Sequence, residues 1–320
     1  MGKLIEILIQ NGQTIYKAIV EEGISWETQR RKAPGKLAFT VLKDEALNFV
    51  EGNPVRFTYN NQKVFYGFVF TKQRSDNDKI KVTCYDQLRY FKNKDTYVYS
   101  NITASKLIQM IAKDFNLNAT NIEDTKVTLS SVEEDKELFE VTGNALDETL
   151  LASSQNYVLY DDFGDLTLKN IANMKVDTLI DEETAQSFDY SSSIDTNTYN
   201  KIKLFYNNDE TGTREVYISQ DSTNMNNWGV LQLTEALQNN VNAKNKADSY
   251  LKLYNQKNKS LSIKEAVGNV AVRGGSLIPI MLNLGDIILG NYMLVENAKH
   301  TFKESEHVMT LQLIGGEFSA

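Results

Sequence analysis

Residues that could carry catalytic or metal chemistry are scarce in this sequence. Its 320 residues include two histidines, His300 and His307, and a single cysteine, Cys84. The histidines stand seven residues apart on either side of a charged turn, with no third ligand near them, so we expect a surface role. Cys84 lies between Thr83 and Tyr85 in a predicted strand, which favours a small buried residue over a nucleophile. One cysteine also excludes an internal disulfide.

Paired carboxylates are the remaining route to an enzyme. The run DDFGD at 161–165 superficially resembles a calcium-binding loop, but it lacks the DxDxDG spacing and the glutamate at position twelve. Asp and Gly also supply the dihedral angles of a hairpin turn, which is the structure we predict there. The acidic residues at 44–45 and 133–135 could imitate a glycosidase pair, yet 42 acidic residues make such coincidences common.

The usual sequence motifs for enzymes and cofactors are also missing. The sequence contains no glycine-rich nucleotide-binding motif and no HExxH, CxxC or GxSxG. We therefore predict no catalytic residues, no metal ligands and no cofactor-binding residues. The chain is expected not to be an enzyme.

Charge and hydropathy limit the partners. The chain has 34 Lys and Arg against 42 Asp and Glu, a formal net charge of −8, so tight binding to nucleic acid or an anionic membrane is not expected. No apolar run approaches the ~20 residues of a membrane span, so we predict no membrane anchor. The N-terminus is typical of a strand, a turn and a second strand rather than a signal peptide, which indicates folding in a cytoplasm.

Strand patterns dominate the first 97 residues. Short apolar or alternating runs are separated by Asn, Gly and Pro turns, which indicates an antiparallel barrel or sandwich. Four basic residues surround the Pro34-Gly35 turn; a solvated hairpin tip is favoured, and a contact with an acidic neighbour is the alternative. The predicted strands are 4–9, 15–20, 36–42, 55–59, 64–70 and 80–85, and the basic residues are Arg30, Arg31, Lys32 and Lys36.

The period changes in the middle of the chain, at 98–178. Thr103 is a suitable N-cap for a helix with apolar residues on one face. A second helix is predicted from Asn144, preceded by a loop at 133–136, and a hairpin follows with its turn at 162–165. This segment therefore reads as a small α+β domain.

Strand patterns return from 179 onward, interrupted by one predicted helix at about 234–257. A faint repeat also relates GNPVRFTY…VFYGFVF…SDNDKIKVTCY near the start to LGDIILGNYMLVENAKHTFKESEHVMTLQLI near the end. The predicted fold class is mainly β with an α+β insert: two antiparallel β-barrel or sandwich domains, 1–97 and 179–320, flank the α+β domain 98–178, and the C-terminal domain holds the long helix.

One stretch, residues 79–115, resembles a known family. Its sequence resembles that of PBSX-like baseplate hub proteins of contractile-tailed prophages and phage-tail-like (R-type) bacteriocins. Supporting segments lie at 64–70, 228–232, 272–280 and 292–302. The matching motifs are Tyr85-Asp86-Gln87-Leu88-Arg89-Tyr90, Asp95-Thr96-Tyr97 and Thr103-Ala104-Ser105.

The resemblance implies a structural protein without catalysis. It implies a homotrimer whose two tail-tube-like β domains per chain form a pseudo-sixfold ring, with the tail tube protein, the spike protein and other baseplate proteins as partners. It implies assembly in the bacterial host cytoplasm and a final place in the phage tail. Two alternatives stay open: a tail-associated peptidoglycan hydrolase, which needs an acid pair in a cleft, and a cell-wall sugar-binding module, which needs an exposed aromatic platform.

Overall fold

The computed structural model describes residues 4–76, 78–208, 211–237, 242–283 and 288–315. Strands predominate in these ranges, as the sequence predicts, and four α-helices accompany them. The bounds of the elements follow the alternation of apolar and polar residues in most of the chain.

Among the described residues up to Tyr85, the regular elements are all strands. β3 was not predicted, because only Ile24 and Trp26 point inward and the rest of the strand is polar. Asn60 and Asn61 both have positive φ, 50° and 63°, as a two-residue hairpin turn requires. The strands are β1 Ile5–Asn11, β2 Thr14–Lys17, β3 Ile24–Gln29, β4 Lys36–Leu42, β5 Pro54–Tyr59, β6 Gln62–Asp76 and β7 Lys79–Tyr85.

The middle region contains both helices and strands. Thr103 caps the first helix, accepting a hydrogen bond at 3.3 Å from the backbone N–H of Lys106, which confirms the predicted start. The second helix begins at Leu138 rather than Asn144, and the predicted loop at 133–136 belongs to a strand. The elements are a 3₁₀ helix Gln87–Lys92, β8 Lys94–Thr103, α1 Ala104–Asp114, β9 Asn121–Ile122, β10 Thr128–Glu137, α2 Leu138–Ser153, β11 Tyr157–Asp161 and β12 Leu166–Asn170.

The last region corrects the predicted helix at 234–257. Its first residues belong to a strand that pairs in parallel with β14, residues 238–241 lie outside the described residues, and the helix covers only the second half. The elements are β13 Ser187–Ser193, β14 Lys201–Asn208, β15 Thr213–Gln220, α3 Ser222–Trp228, β16 Gln232–Ala236, α4 Ala243–Tyr254, β17 Asn258–Val267, β18 Leu277–Asn283, β19 Ile288–Phe302 and β20 His307–Gly315.

One large sheet runs through both regions that were predicted as separate β domains. Its strand order is β13-β17-β20-β19-β3-β4-β7-β6-β5-β1-β2, with β18 also beside β19. The junction is the antiparallel pair β3–β19, which joins 24–29 to 297–302. Each region has its own apolar core, and Phe302 of β19 packs in the N-terminal core. Three small sheets, β8–β10, β9–β12–β11 and β15–β14–β16, complete the fold.

Two sets of five strands have the same pairing order, β5-β6-β7-β4-β3 and β18-β19-β20-β17-β13. The long strands β6 and β19 both have 15 residues. Each carries a bulge at the same place, between Val69 and Thr71 in one and between Val295 and Asn297 in the other. A bulge fixes the local register, so the two sets can be aligned residue by residue.

The turns that lead into the two sets also match. Gly52 and Gly275 have positive φ, 86° and 95°, and each donates its backbone N–H at 2.8 Å to the residue before the bulge, Val69 or Val295. The repeat read from the sequence had instead aligned Gly52 with position 285, which lies outside the described residues. The second and third strands of the repeat, β6–β7 and β19–β20, were aligned correctly.

Candidate functional site

The two histidines lie side by side in the interior on the paired strands β19 and β20, diagonally across the ladder: His300 is opposite Met309, and His307 is opposite Phe302. His300 Nε2 is 2.9 Å from the carbonyl oxygen of Val272, and His300 Nδ1 is 2.9 Å from His307 Nε2. Because a carbonyl oxygen only accepts, His300 Nε2 carries the proton, and His307 Nε2–H donates to His300 Nδ1. Burial, then the neighbouring His307, lowers the pKa of His300 to about 3, which keeps this ring neutral.

Aromatic rings from both halves of the molecule enclose this pair. Trp26 of β3 lies 4.8 Å from His300, and Phe302 stacks on His307 at 4.2 Å, measured between ring centroids. A Cβ on Gly268 would lie 2.2 Å from the His307 ring, so glycine is required there. The surface role predicted for the histidines is wrong: the turn at 303–306 is exposed, but its flanking strands point these side chains inward. The pair stabilises the β3–β19 junction.

Asp86 and Gln87, from the motif that carried the family resemblance, connect the N-terminal sheet to the middle region. Asp86 Oδ2 accepts from the backbone N–H of Gly35 at 2.8 Å, and Oδ1 accepts from that of Leu88 at 3.0 Å. Gln87 Oε1 accepts from the backbone N–H of Asn118 at 2.9 Å. The motif therefore serves a structural junction.

The predicted hairpin turn supplies the other carboxylate of this junction. Asp161 Oδ1 accepts from the backbone N–H of Gly164 at 2.7 Å, which confirms the turn, and Oδ2 accepts from Gln87 Nε2 at 3.1 Å. Burial raises the pKa of Asp86 and of Asp161, and the negative charge of Asp161 raises the pKa of Asp86 further. Asp86 is only 6% exposed and Asp161 only 5% exposed, so a substrate has no open access to this acid pair.

Two of the four basic residues near Pro34 contact acidic neighbours, which was the less favoured alternative, while Lys32 is exposed as a solvated turn predicts. Arg30 Nε lies 2.5 Å from Glu296 Oε1, and Arg31 lies 2.7 Å from Asp147 of α2. Burial lowers the pKa of Arg30, with Arg31 adding to that effect and Glu296 opposing it. These contacts hold the β3–β4 turn against the C-terminal strands and the middle region.

A groove of 870 Å³ lies beside these contacts, between α2, α4 and β10. Charged side chains that line the groove form ion pairs with each other. Lys246 of α4 lies 2.9 Å from Glu148 of α2, and Lys136 lies 2.9 Å from Glu133 of the same strand, β10. Glu133 is buried and also accepts from Asn144 at 3.1 Å. A groove whose charges neutralise each other offers no preference for an anionic or a cationic ligand.

The remaining candidates are explained by packing. Cys84 is fully buried, as predicted. Of the six tyrosines in or next to predicted strands, Tyr59, Tyr97 and Tyr99 are buried, while Tyr66, Tyr85 and Tyr90 are half-buried and pack with Phe68 and Phe70. Within the described part of the chain, no group of three His, Cys, Asp or Glu side chains could hold a metal ion, and no helix is long and apolar enough to cross a membrane.

Open strand edges are the features that the interior does not explain. Two of the predicted strands, at 4–9 and 64–70, have neighbours on both sides: β1 pairs with β2 and β5, and β6 pairs with β5 and β7. Among the described residues, the open edges of the large sheet include β13, β2 and the part of β6 that extends beyond β5, at 71–76. Such edges are sites where another chain can add a strand.

Comparison with known proteins connects these features to a family. The family described as YqbQ-like matches residues 24–314. The chain belongs to the YqbQ-like family. A relative from Bacillus subtilis, the phage-like element PBSX protein XkdQ, is 28% identical over 322 residues that cover 97% of each chain. The resemblance to PBSX-like proteins inferred from residues 79–115 is therefore confirmed.

Solved structures share the fold of this YqbQ-like chain. The 43 kDa tail protein of prophage MuSo2 from Shewanella oneidensis is similar with a TM-score of 0.69 and 12% identity, covering 96% of this chain and 98% of that one. The E. coli c3393 protein, a type VI secretion component described as similar to T4 tail proteins gp27 and gp5, gives a TM-score of 0.55 and 10% identity, covering 98% and 77%. The fold is thus one found in a prophage tail protein and in a type VI secretion component.

Proposed function

We propose that this chain is the structural baseplate hub of a contractile phage tail or phage-tail-like particle. Three copies form one ring that joins the tail tube to the spike and the rest of the baseplate. The observation that carries the proposal is the repeated five-strand pairing, β5-β6-β7-β4-β3 and β18-β19-β20-β17-β13. Two similar β units per chain give six units in a trimer, which matches a sixfold tube.

We assign a separate role to each of the three regions predicted from the sequence. Residues 1–97 and 179–320 supply the tube-like β units, and 98–178 forms a peripheral α+β domain. A tube wall needs continuous strands, whereas α1 and α2 interrupt the sheet pattern in the middle region. We expect that region outside the channel.

The partners of the hub are other tail proteins. We propose the tail tube protein on one side of the ring and the spike protein on the other, with further baseplate proteins at the periphery. Membership of the phage tail family and the fold shared with the type VI component support this set. The chain would assemble in the bacterial host cytoplasm and then form part of the tail.

The proposed hub acts without catalysis. Its buried acids and histidines are engaged in hydrogen bonds to the chain itself, which leaves them no access to a substrate. The net charge of −8 on each copy disfavours retention of nucleic acid in a channel, since each firm Lys or Arg contact to a phosphate would add affinity.

Native mass spectrometry and symmetry-resolved imaging of the full chain with its tail partners test the proposal. We expect a trimer whose wall consists of six similar β units, with residues 103–171 outside the channel. A stable assembly of another number, or residues 103–171 lining the channel, would contradict it. Cell-wall lysis by the pure chain that one Asp or Glu substitution abolishes would favour the hydrolase alternative instead.

A further inference from the structure

One strand of the repeat has two partners in the N-terminal half but only one in the C-terminal half. β3 lies between β4 and β19. Its counterpart β13 pairs with β17, and within the described residues no strand covers its other edge. Following the pairs outward from the bulge aligns the two rows: Val69, Cys84, Leu37 and Trp26 in one half; Val295, Leu313, Leu261 and Tyr190 in the other.

The strand that receives β3 also has a counterpart with an open edge. β3 adds to residues 297–302 of β19, beyond the point where β18 ends on the same side. The shared bulge aligns 297–302 with 71–76 of β6. Residues 71–76 pair with β7 on one side. On the other side, the pairing of β6 with β5 ends at Phe68, so this edge is open among the described residues. The chain therefore contains one completed junction and the two open halves of a second one.

We propose that β13 of one copy pairs antiparallel with residues 71–76 of β6 in the neighbouring copy, in the register of β3 on β19. The number of copies in the ring rests on the proposed trimeric hub, whereas the pairing rests on the repeat. The register places Thr71 opposite Ser193, Lys72 opposite Ser192, Gln73 opposite Ser191 and Arg74 opposite Tyr190 of the neighbouring copy.

The composition of the two edges fits such a contact. β13 reads SFDYSSS, without the Pro or Lys that usually protects an exposed edge, and Phe188 is 38% exposed. Its single charge is Asp189, and the opposing segment 71–76 carries Lys72, Arg74 and Asp76, a net charge of +1, so the two edges have opposite net charge. A strand of this kind is an aggregation hazard unless another chain covers it.

In the proposed register, an aromatic contact between copies occupies the position of the Trp26–His300 contact within the chain. Within the chain, Trp26 of β3 lies 4.8 Å from His300 of β19. At the aligned positions, Tyr190 of one copy faces Arg74 of the next. A guanidinium stacks on a tyrosine ring with a favourable cation–π interaction, so the contact between copies keeps a flat pair at the same place.

The contact is head-to-tail, because it uses β13 of one copy and β6 of the next. Such contacts form a closed ring when the rotation between copies closes, and an open filament when it does not. Each chain already contains one such junction between its own halves. Alternation of the internal junction with the proposed one therefore gives a ring of similar β units.

Paired cysteines test the register in the full chain. Two double variants place a thiol on each side of the contact, Gln73→Cys with Ser191→Cys and Lys72→Cys with Ser192→Cys. Adjacent antiparallel pairs alternate between closer and wider Cα spacing, so one of the two variants has the better geometry for a disulfide. The matched control is Glu27→Cys with Lys299→Cys, the aligned pair of the internal junction. The mismatched control, Gln73→Cys with Ser192→Cys, points the thiols to opposite faces.

Oxidation is carried out on the concentrated chain and on tail particles assembled with each variant. We expect covalent multimers up to the trimer for at least one test variant, a disulfide within the chain for Glu27→Cys with Lys299→Cys, and loss of cross-linking for the mismatch. A ladder that ends at another number supports the pairing and contradicts the trimeric hub. A native trimer without cross-links in either test variant overturns the pairing and leaves the hub intact. Absence of cross-links in both solution and particles also overturns the pairing.

Discussion

The two halves of the large sheet repeat one pattern of pairing but differ in what covers it. In the N-terminal half β3 is enclosed by β4 and β19, and Ile24 and Trp26 are only 1% and 2% exposed. In the C-terminal half the counterpart β13 pairs with β17 alone among the strands that the structure describes, and Phe188 and Tyr190 remain partly exposed. The difference indicates that burial at this strand depends on its second neighbour rather than on its own sequence.

The chemistry of the two junctions differs in the same way. The completed junction contains the buried pair His300 and His307, packed against aromatic rings. At the aligned positions the N-terminal half has Arg74 and Asp78, both exposed. A buried, hydrogen-bonded pair suits a junction that forms during folding, whereas exposed charges suit a surface that must stay soluble until a partner arrives.

The largest expected effect is a difference in unfolding free energy between alanine variants of the two aligned aromatic residues, Trp26 and Tyr190. Trp26→Ala removes a fully enclosed ring, and we expect a loss of about 3–5 kcal/mol in the free energy of unfolding. Tyr190→Ala removes a half-buried ring, so the loss in the monomeric chain should be below about 2 kcal/mol, with a weaker assembly in addition. Urea unfolding of both variants measures the difference. Equal losses would contradict the assignment of β13 as an edge strand.

Acid sensitivity should come from the completed junction. His300 has a folded-state pKa of about 3, below its unfolded value of about 6.5, so it stabilises the fold above the unfolded pKa and loses that contribution as the pH falls toward 3. The expected loss is up to about 1.4 kcal/mol per pH unit. His300→Gln keeps a donor for Val272 and an acceptor for His307, and should flatten this pH dependence.

Unfolding free energies measured from about pH 6.5 to pH 4 give the slope for His300→Gln. Arg74→Gln, at the exposed aligned position, is the control and should leave the slope of the wild-type chain unchanged. If His300→Gln and the wild type have the same slope, the histidine pair is not the acid-sensitive element of the junction.

The smallest expected effect concerns close approach of the backbone. A Cβ on Gly274 would lie 2.4 Å from the carbonyl carbon of Gln29 and 2.5 Å from the nitrogen of Arg30, so Gly274→Ala should cost about 1–3 kcal/mol. The aligned residue Glu51 is exposed, and Glu51→Ala should change stability by less than about 0.5 kcal/mol. Thermal unfolding compares the two, and a neutral Gly274→Ala would contradict the close packing of β3 on this turn.

Local signals in the sequence predicted much of the fold. The bounds of β4, the N-cap Thr103 and the hairpin turn at 162–165 all depend on residues close together in the chain, and the structure confirms them. The α2 helix was placed too late because Glu137, its N-cap residue, makes no side-chain capping bond and gives no signal in the sequence.

Long-range pairing accounts for most of the errors. Residues 234–236 of the strand Gln232–Ala236 were predicted as the start of a helix, because only the parallel pairing with β14 makes them a strand. The histidines were placed at the surface because of the charged turn between them. One signal was available: Ala298, His300 and Phe302 alternate with more polar residues, which indicates that His300 points inward with its two apolar neighbours. The hydrogen bond from Gln87 to Asp161 spans 74 residues of sequence and had no such signal.

Amide hydrogen exchange tests the central claim most directly, because it reports on β3 and β13 in the same sample. In the isolated chain, we predict slow exchange for Ile24–Gln29 and faster exchange for Ser187–Ser193, whose outer edge is open. In the assembled tail, both strands and residues 71–76 should exchange slowly. If Ser187–Ser193 and 71–76 exchange as fast in the assembled tail as in the isolated chain, the claim that one junction is repeated between copies is contradicted.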